Sequence, residues 1–262
     1  MDVSEFAKQN PTTERTEPAE CKTHGEYLSR VTEVLGRTFR LGCPTCYSER
    51  EAEKARIEKI ESDKRSAARR DSDLQKTGVA LRFRDRTLAS YRAETPKQKA
   101  ALSACLQMVD QIVSGAAKTP NLIFCGRPGT GKTHLATGIA IALLDARFHA
   151  LKINAADMVR AVRSTWSRDS ERSEDQVLDD FANRSLLIID EIGVQTGSDN
   201  EKLIMFEVIN RRYEACRPTL LISNLSPDQI KAELGDRVMD RLREDGGRMI
   251  AFDWESERRG AA

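Results

Sequence analysis

The sequence predicts an α/β domain with a parallel sheet between helices, preceded by a small N-terminal module and a charged helical linker. Strand-type apolar runs alternate with helix-type segments through the C-terminal two thirds of the chain, and this alternation is typical of a parallel sheet. A Gly-rich segment separates the first of these strands from the helix after it. Closely spaced cysteines stand in the N-terminal third, ahead of a long run of charged helix formers.

The composition restricts the class of protein. The chain of 262 residues has room for one large domain and a small one, since domains take about 100–200 residues each. Charged residues make up 32% of the chain but the net charge is only +1, so a basic surface for nucleic acid must be local. The sequence has neither a long apolar run nor a secretion-signal pattern at its start, and we therefore expect a cytoplasmic protein that does not use a membrane.

The Gly-rich segment fits the phosphate-binding pattern G-x-x-x-x-G-K-[ST]. It consists of Gly126, Arg127, Pro128, Gly129, Thr130, Gly131, Lys132 and Thr133. In this pattern backbone N–H groups surround phosphates, the lysine reaches the terminal phosphates and the hydroxyl binds Mg²⁺. Residues 121–125 are typical of a strand and residues 134–144 of a helix, so the phosphates would lie at a helix N-terminus. We predict a site for ATP or ADP with Mg²⁺, and include His134 among its residues.

A second motif lies at the end of an apolar run that begins at Ser185 and finishes with Asp190 and Glu191. The run is typical of a buried central strand, whose carboxyl end lies beside the phosphates in such folds. We predict that Asp190 belongs to the Mg²⁺ shell and that Glu191 polarises the attacking water. Hydrolysis needs one carboxylate for the metal and one for the water, so this pair predicts an ATPase.

Two later segments supply candidate polar groups. Residues 218–224 form an apolar run ending at Asn224. We predict that Asn224 lies between the strand before the Gly-rich segment, here called the P-loop, and the strand that ends in Asp190 and Glu191. There it would be within reach of the terminal phosphate or the water. Arg237 and Arg241 are four residues apart and share one helical face. An arginine presented to a neighbouring subunit's nucleotide would stabilise the charge that hydrolysis develops, although both arginines are also consistent with ordinary surface charge.

Four residues in the N-terminal third have the spacing of zinc ligands: Cys21, His24, Cys43 and Cys46. Two pairs with two residues inside each are separated by 18 residues, the pattern of two knuckles with a hairpin between them. Four protein ligands complete a tetrahedron, so the predicted zinc is structural. It would supply folding energy to a module with few apolar residues.

The sequence divides into four predicted parts. Residues 1–20 are a polar, disordered leader, residues 21–47 the zinc-binding module, residues 48–77 the charged helical linker and residues 78–262 the ATPase domain. The linker contains closely spaced Glu and Lys or Arg residues that favour an exposed helix, in which Ile57 and Ile60 are either simply exposed or bind a partner.

Two further clusters are open to two interpretations. Alternate arginines at Arg82, Arg84 and Arg86 either reach phosphate or solvate one face of the entry to the ATPase domain. Trp166 lies in a polar, arginine-rich stretch predicted as a loop, where it either stacks on a base or forms part of the rim of the fold.

The order of the motifs carries a family resemblance. The relevant features are the P-loop, the run from Asp190 to Thr196, Ser223 with Asn224, the run from Gly235 to Arg241, and the run from Asp253 to Ser256. Together they resemble the DnaC-type replicative helicase loaders, members of the AAA+ ATPase class. The resemblance implies that Asn224 is the sensor-1 residue and Arg258 the sensor-2 arginine. It also implies that Arg241 is the arginine finger, with Arg237 beside it.

The same resemblance implies partners and activity. An N-terminal part would bind the hexameric replicative helicase, and the ATPase domains would self-associate and bind single-stranded DNA, with ATP hydrolysis acting as a switch for release. Trp166 and Ser198 stand where the family presents contacts to the single strand, and Asn200 stands where an aromatic residue can occur. The zinc pairs are similar to those of metal-bearing N-terminal domains in related loaders.

Three other functions are compatible with parts of the sequence. An IstB-like transposition-helper ATPase has the same core motifs, but the zinc module and charged linker favour a loader. A zinc-dependent adaptor that binds ATP without hydrolysing it would have no need of Glu191. A small-molecule kinase would need an acceptor pocket and a lid, and would have little use for the late arginine pair, Arg237 and Arg241.

Overall fold

The computed structural model describes residues 13–34, 37–193 and 198–257. The chain divides into two compact units, residues 1–69 and residues 70–262, with the division inside a long helix. None of the helices in the described ranges combines the length and apolarity needed to cross a bilayer.

The first unit contains a three-stranded antiparallel sheet. Its strands are β1 (Thr13–Cys21), β2 (Gly25–Val34) and β3 (Arg37–Arg40), in that spatial order. The hairpin predicted between the two ligand pairs is formed by β2 and β3.

The prediction of a disordered leader over residues 1–20 was wrong for its second half. Residues 13–21 pair with β2 along the whole of β1, from Thr13 opposite Glu33 to Cys21 opposite Gly25. Pairing with β2 satisfies the backbone hydrogen-bonding groups on one side of this edge strand. Its polar side chains are mostly exposed, so composition gave no indication of a strand. Residues 1–12 of the predicted leader lie outside the described residues.

The long helix α1 (Pro44–Lys76) covers most of the predicted linker. Most of its side chains are exposed; the exceptions are Cys46 near its N-terminus and Asp73 and Leu74 near its C-terminus, of which Leu74 is buried. Ion pairs along it join Lys54 to Glu51 and Arg65 to Glu61, as expected for an exposed helix stabilised by charge pairs one turn apart. Ile57 and Ile60 are exposed, and the proposed bounds of the module, the linker and the ATPase domain remain predictions.

The second unit is built on a parallel five-stranded sheet, which confirms the predicted fold class. Its helices are α2 (Pro96–Val113), α3 (Lys132–Asp145), α4 (Ala155–Arg163), α5 (Glu174–Ala182), α6 (Asp199–Glu214), α7 (Pro227–Leu234) and α8 (Asp236–Arg243). Its strands are β4 (Leu122–Gly126), β5 (Ala150–Asn154), β6 (Leu186–Ile192), β7 (Thr219–Ser223) and β8 (Arg248–Phe252), in the order β5-β6-β7-β4-β8. Apolar clusters cover both faces of the sheet, the usual arrangement for parallel strands.

Three elements of this unit were not predicted from the sequence. They are α5, α7 and β8. Both helices have only eight or nine residues, too few for a clear helical period. Their first turns nevertheless carry capping boxes, Ser173 with Gln176 and Ser226 with Gln229, and this local signal could have identified them.

Candidate nucleotide and metal sites

The sheet brings the carboxyl ends of three central strands to one edge. Strand β7 lies between β6 and β4, so the sequence prediction for the strand that precedes Asn224 is confirmed. In parallel sheets this edge is where ligands bind. A cleft of about 650 Å³ opens there, and its lining includes Lys132, Thr133, Asp190, Glu191 and Asn224.

The P-loop has a fixed conformation between β4 and α3. Gly131 has a φ of +93°, and a Cβ atom at this position would lie 2.8 Å from Cε2 of Tyr91. A side chain is therefore excluded both by the backbone conformation and by the close approach of the ring. The Nζ atom of Lys132 donates hydrogen bonds to the carbonyl oxygens of Gly126 and Arg127, both at 2.7 Å. These bonds hold the Lys132 ammonium against the P-loop.

The chain after β8 supports the P-loop from the other side. The indole Nε1 of Trp254 donates to the carbonyl oxygen of Thr130 at 2.9 Å, and the backbone N–H of Glu257 donates to that of Gly129 at 3.1 Å. The Trp254 ring also packs against Phe252, with centroids 4.6 Å apart. Sequence reasoning used Trp254 only as part of a family motif and did not identify it as a P-loop support.

The two acids of β6 have different environments. Asp190 is buried, its Oδ1 accepts the backbone N–H of Glu191 at 2.9 Å, and its Oδ2 lies 2.8 Å from Nζ of Lys152. Glu191 is exposed in the cleft and has a φ of +61°. This unusual conformation coincides with a register shift between β6 and β7. Such strain in a non-glycine residue is common at functional sites, and here it turns the second carboxylate toward the cleft.

The end of β7 is joined to the end of β6 by a side chain. The hydroxyl of Ser223 donates to the carbonyl oxygen of Ile192 at 2.6 Å and accepts the backbone N–H of Leu225 at 3.1 Å. Asn224, between these anchored residues, is exposed at the cleft. The hydrogen bonds of Ser223 thus fix the backbone on both sides of Asn224, whose amide lines the same cleft as Asp190 and Glu191.

The entry segment before α2 contributes to the same cleft. Arg82, Phe83 and Arg86 belong to the lining, whereas Arg84 is half-buried and forms an ion pair with Asp71. Two of the alternating arginines therefore line the cleft, whereas the third forms an ion pair away from its lining. His134 at the start of α3 also lines the cleft, and its Nε2 lies 3.0 Å from the carbonyl oxygen of Thr87.

The chemistry of the cleft fits a nucleotide with Mg²⁺. Mg²⁺ prefers oxygen ligands and is usually bound by one or two carboxylates together with substrate phosphates. Thr133 and Asp190 bring a hydroxyl and a carboxylate to the cleft that contains the P-loop. The P-loop in turn precedes the N-terminus of α3, where backbone amides and the helix dipole favour phosphate.

The late arginines lie outside the lining of this cleft as formed by the described residues. Arg237 on α8 is exposed. Arg241, one turn later, is half-buried with its guanidinium over the rings of Phe206 and Tyr213, at 4.6 and 5.5 Å from their centroids. Arg258, the predicted sensor-2 residue, lies outside the described residues.

In the region predicted to contact single-stranded DNA, Arg163 at the end of α4 contacts Ser198 and Asn200 at the start of α6. The Nε of Arg163 lies 3.2 Å from Oδ1 of Asn200, and its Nη2 lies 3.4 Å from the hydroxyl of Ser198. Trp166 follows in a short 3₁₀ turn, is 51% exposed, and donates from Nε1 to Glu174 at 2.5 Å. Arg163 thus joins the end of α4 to the start of α6, and Trp166 follows it by three residues.

The four predicted zinc ligands form a cluster in the first unit. Their ligand atoms all lie within 4.8 Å of one another. The Sγ atoms of Cys21 and Cys46 are 3.5 Å apart, and Nδ1 of His24 lies 3.3 to 3.8 Å from the three sulfurs. A tetrahedral zinc site with bonds of about 2.3 Å has ligand atoms about 3.8 Å apart. The donor set and its spacing therefore fit zinc.

A residue that the sequence reasoning missed supports this cluster. The Nε2 atom of His24 lies 3.1 Å from a carboxylate oxygen of Glu49 on α1. This contact leaves Nδ1 directed at the thiols, the usual arrangement in which a carboxylate orients a histidine ligand. Backbone hydrogen bonds from Thr23 and His24 lower the pKa of Cys21 to about 6, whereas the hydrogen bond with Cys21 raises the pKa of Cys46 to about 11, so Cys21 is the thiolate of this pair.

Comparison with known proteins gives consistent results for sequence and fold. Residues 53–245 match the IstB-like ATP binding protein family. The replicative helicase loader DnaC of Escherichia coli (strain K12) is 34% identical over 241 residues, which cover 90% of this chain and 96% of that protein. The DnaC loader of Buchnera aphidicola subsp. Acyrthosiphon pisum is 34% identical over 185 residues, or 71% of this chain and 74% of that protein.

Solved structures show the same fold. A crystal structure of the DnaC helicase loader superposes with a TM-score of 0.58 at 22% identity, over 66% of this chain and 99% of that one. AMPPCP-bound DnaA from Aquifex aeolicus superposes with a TM-score of 0.56 at 18% identity, over 69% of this chain and 54% of that one. With the sequence relationship extending over nearly the full length of the E. coli protein, the chain belongs to the DnaC family of replicative helicase loaders, within the IstB-like ATP-binding proteins.

Proposed function

We propose that this protein binds and hydrolyses ATP and uses that cycle to place a replicative helicase on single-stranded DNA. One observation carries the proposal most strongly. Glu191 faces the cleft beside Asn224, on the edge where the P-loop and Asp190 also lie, in a chain related to DnaC over 96% of that loader's length. A module that only bound ATP would not need a carboxylate held toward the cleft in a strained conformation.

The cleft residues divide the work of hydrolysis. The P-loop amides and Lys132 bind the phosphates, while Thr133 and Asp190 would hold Mg²⁺, which neutralises charge on the phosphate oxygens. Glu191 accepts the proton of the attacking water, and Asn224 hydrogen-bonds the water or the terminal phosphate. Arg82 and Arg86, which also line the cleft, provide positive charge for an anionic ligand. Arg258 is proposed as the sensor-2 arginine on the resemblance alone.

The partners follow from the family and from two surfaces. We infer that the N-terminal unit, stiffened by zinc, together with α1 binds the hexameric helicase. Single-stranded DNA would pass the surface that carries Trp166 and Ser198, where the exposed indole ring is available for stacking. These events belong to the cytoplasm, where replicative helicases work on the chromosome.

Co-purification with a replicative helicase tests the proposed partner. The full chain and the helicase would be mixed with ATP, with ADP or without nucleotide and then analysed by size exclusion. We expect a complex whose amount depends on the nucleotide. An IstB-like helper would instead bind its transposase and leave the helicase free, so the absence of a helicase complex under all three conditions contradicts the loader function.

Loss of the Arg241 side chain is expected to lower ATP turnover only when subunits are in contact. An arginine from a neighbouring subunit stabilises transition-state charge and is worth about 10³-fold or more in rate when fully engaged. The rates of wild type and Arg241→Ala should therefore coincide in dilute solution and diverge as protein concentration rises. Phosphate release over a concentration series measures this.

Two further variants make this prediction specific. Arg237→Ala should show the same concentration dependence to a smaller degree, and it leaves the stacking of Arg241 on Phe206 undisturbed. Arg243→Ala, at an exposed position on the same helix, should behave as wild type. Parallel rates for wild type and Arg241→Ala at every concentration would remove the finger role.

The N-terminal unit is expected to contain one zinc ion per chain. Replacement of Glu49 by Gln should weaken zinc binding by about 10–100-fold, because His24 loses the carboxylate that orients it. Atomic absorption gives the zinc content, and competition with a chromophoric chelator gives the affinity. Glu51→Gln, two residues along the same helix and paired with Lys54, is the matched control. Equal zinc affinity for Glu49→Gln and Glu51→Gln would contradict the role of Glu49.

A further inference from the structure

Lys152 contacts the metal-binding acid although no motif includes it. It lies on β5, at one edge of the sheet, and its Nζ is 2.8 Å from Oδ2 of Asp190. Only 12% of the Lys152 side chain and 9% of the Asp190 side chain are exposed. In the parallel register Lys152 pairs with Ile188 and Asn154 pairs with Asp190, so both charged side chains project from the same face of the sheet.

The backbone of Lys152 is held in place by the segment that follows α1. Its N–H donates to the carbonyl oxygen of Thr77 at 2.8 Å. Gly78 approaches so closely that a Cβ atom there would lie 1.9 Å from the Lys152 carbonyl oxygen, and its φ is +72°. Thr77 is itself buried, with its hydroxyl bonded to the carbonyl oxygen of Leu74 at 2.6 Å. The backbone from which the Lys152 side chain reaches Asp190 is therefore held in a fixed position.

A fixed ammonium and a metal ion compete for the same carboxylate. Asp190 has one oxygen engaged by the backbone N–H of Glu191 and the other by Lys152. Because both side chains are largely buried, an ammonium 2.8 Å from the carboxylate greatly reduces the attraction of that carboxylate for a second cation. Without Lys152, the buried carboxylate would lack its counter-charge and would attract a divalent cation more strongly.

We propose that Lys152 is a built-in counter-cation of Asp190 that competes with Mg²⁺ and so sets the Mg²⁺ concentration at which nucleotide binds. This inference rests on the proposed ATP site and adds a positioning residue to it. It predicts that removing the ammonium makes the site more sensitive to Mg²⁺ rather than inactive. A purely structural ion pair would leave the Mg²⁺ dependence unchanged.

Equilibrium binding of a fluorescent ATP analogue at increasing Mg²⁺ concentration tests the proposal on the full chain. For Lys152→Met we expect half-saturation at a Mg²⁺ concentration on the order of tenfold lower than for wild type. Lys152→Arg, which keeps the positive charge, should stay close to wild type. Lys54→Met breaks an exposed ion pair on α1 and should not change the response. An equal or higher Mg²⁺ requirement for Lys152→Met overturns the proposal.

A second measurement needs neither nucleotide nor Mg²⁺. Unfolding by denaturant would be followed for Lys152→Met, Asp190→Asn and the double variant in buffer that contains a chelator. We expect the double variant to be more stable than the two single changes predict, because asparagine leaves no unpaired buried charge. Strict additivity would overturn the proposal, and Lys152→Gln replaces Lys152→Met in both experiments if the latter does not fold.

The two proposals fail in different ways. If wild type binds no nucleotide at any Mg²⁺ concentration, the ATP site itself is wrong. If wild type binds in a Mg²⁺-dependent manner and Lys152→Met has the same dependence, only the role of Lys152 is wrong.

Discussion

Glu191→Gln is expected to reduce ATP hydrolysis by about 100-fold or more while ATP binding stays close to that of wild type. The amide keeps the size of the side chain but cannot accept the proton of the attacking water, and loss of a general base typically costs 10²–10⁴-fold in rate. Glu191 is exposed in the cleft and is not the acid that Lys152 contacts. Phosphate release measures turnover, and titration with a fluorescent nucleotide measures binding.

Two controls accompany this variant. Glu257→Gln removes another carboxylate from the lining of the same cleft and should hydrolyse ATP at a rate near that of wild type. Lys132→Ala should lose nucleotide binding itself, because the phosphates lose their ammonium partner. Phosphate release by Glu191→Gln at the wild-type rate would remove Glu191 from the reaction.

Arg212→Met is expected to destabilise the second unit by about 3–5 kcal/mol, within the range for breaking a buried charged network. Arg212 is fully buried on α6, and its guanidinium makes five hydrogen-bond contacts, three of which share the two N–H groups of Nη1. The acceptors are the Thr219 hydroxyl and the carbonyl oxygens of Phe181, Ala182, Arg184 and Pro218. Methionine fills much of the space but leaves these acceptors without donors.

The adjacent residue provides a matched control. Arg211 forms ion pairs with Asp175 and Asp179, which are both largely exposed, and Arg211→Met should cost about 1 kcal/mol or less. Denaturant unfolding of both variants measures the difference. Similar losses of stability for the two would show that the network around Arg212 does not join α5, α6 and β7 as described. Burial lowers the pKa of Arg212 to about 9, so the guanidinium remains charged at neutral pH.

The central sheet and the cleft were predictable because their signals are local. A short apolar run, a Gly-rich loop and a helix follow one another around residues 121–145, and each is recognisable from its own residues. The position of β7 between β6 and β4 was predicted from the polar residue that ends it. The spacing of Cys21, His24, Cys43 and Cys46 predicted a cluster, and the structure brings their ligand atoms within 4.8 Å of one another; the zinc ion remains a proposal.

Other features depend on contacts between residues far apart in sequence. Lys152 and Asp190 are brought together only by the register of β5 and β6. Glu49 lies in a run of similar charged residues on α1, and only the fold places it beside His24. The same reasoning explains β1, whose polar residues form a strand because β2 supplies a pairing partner.

The packing of the late arginines, Arg237 and Arg241, could not be predicted from their spacing. Their spacing predicted that Arg237 and Arg241 share a helical face, but not that Arg241 packs over Phe206 and Tyr213 while Arg237 is exposed. Aromatic rings attract a guanidinium by cation–π interaction, so the position of Arg241 depends on side chains of α6 rather than on α8 alone. The role of these arginines in a neighbouring site remains a proposal.

The most direct test of the proposed function is helicase loading itself. A circular single-stranded DNA with one annealed, labelled oligonucleotide would be coated with single-strand-binding protein and mixed with the replicative helicase, ATP and this protein. We expect displacement of the oligonucleotide that requires this protein. Displacement that is equally rapid without this protein, or no displacement with a helicase that is active on uncoated DNA, would contradict the proposed function.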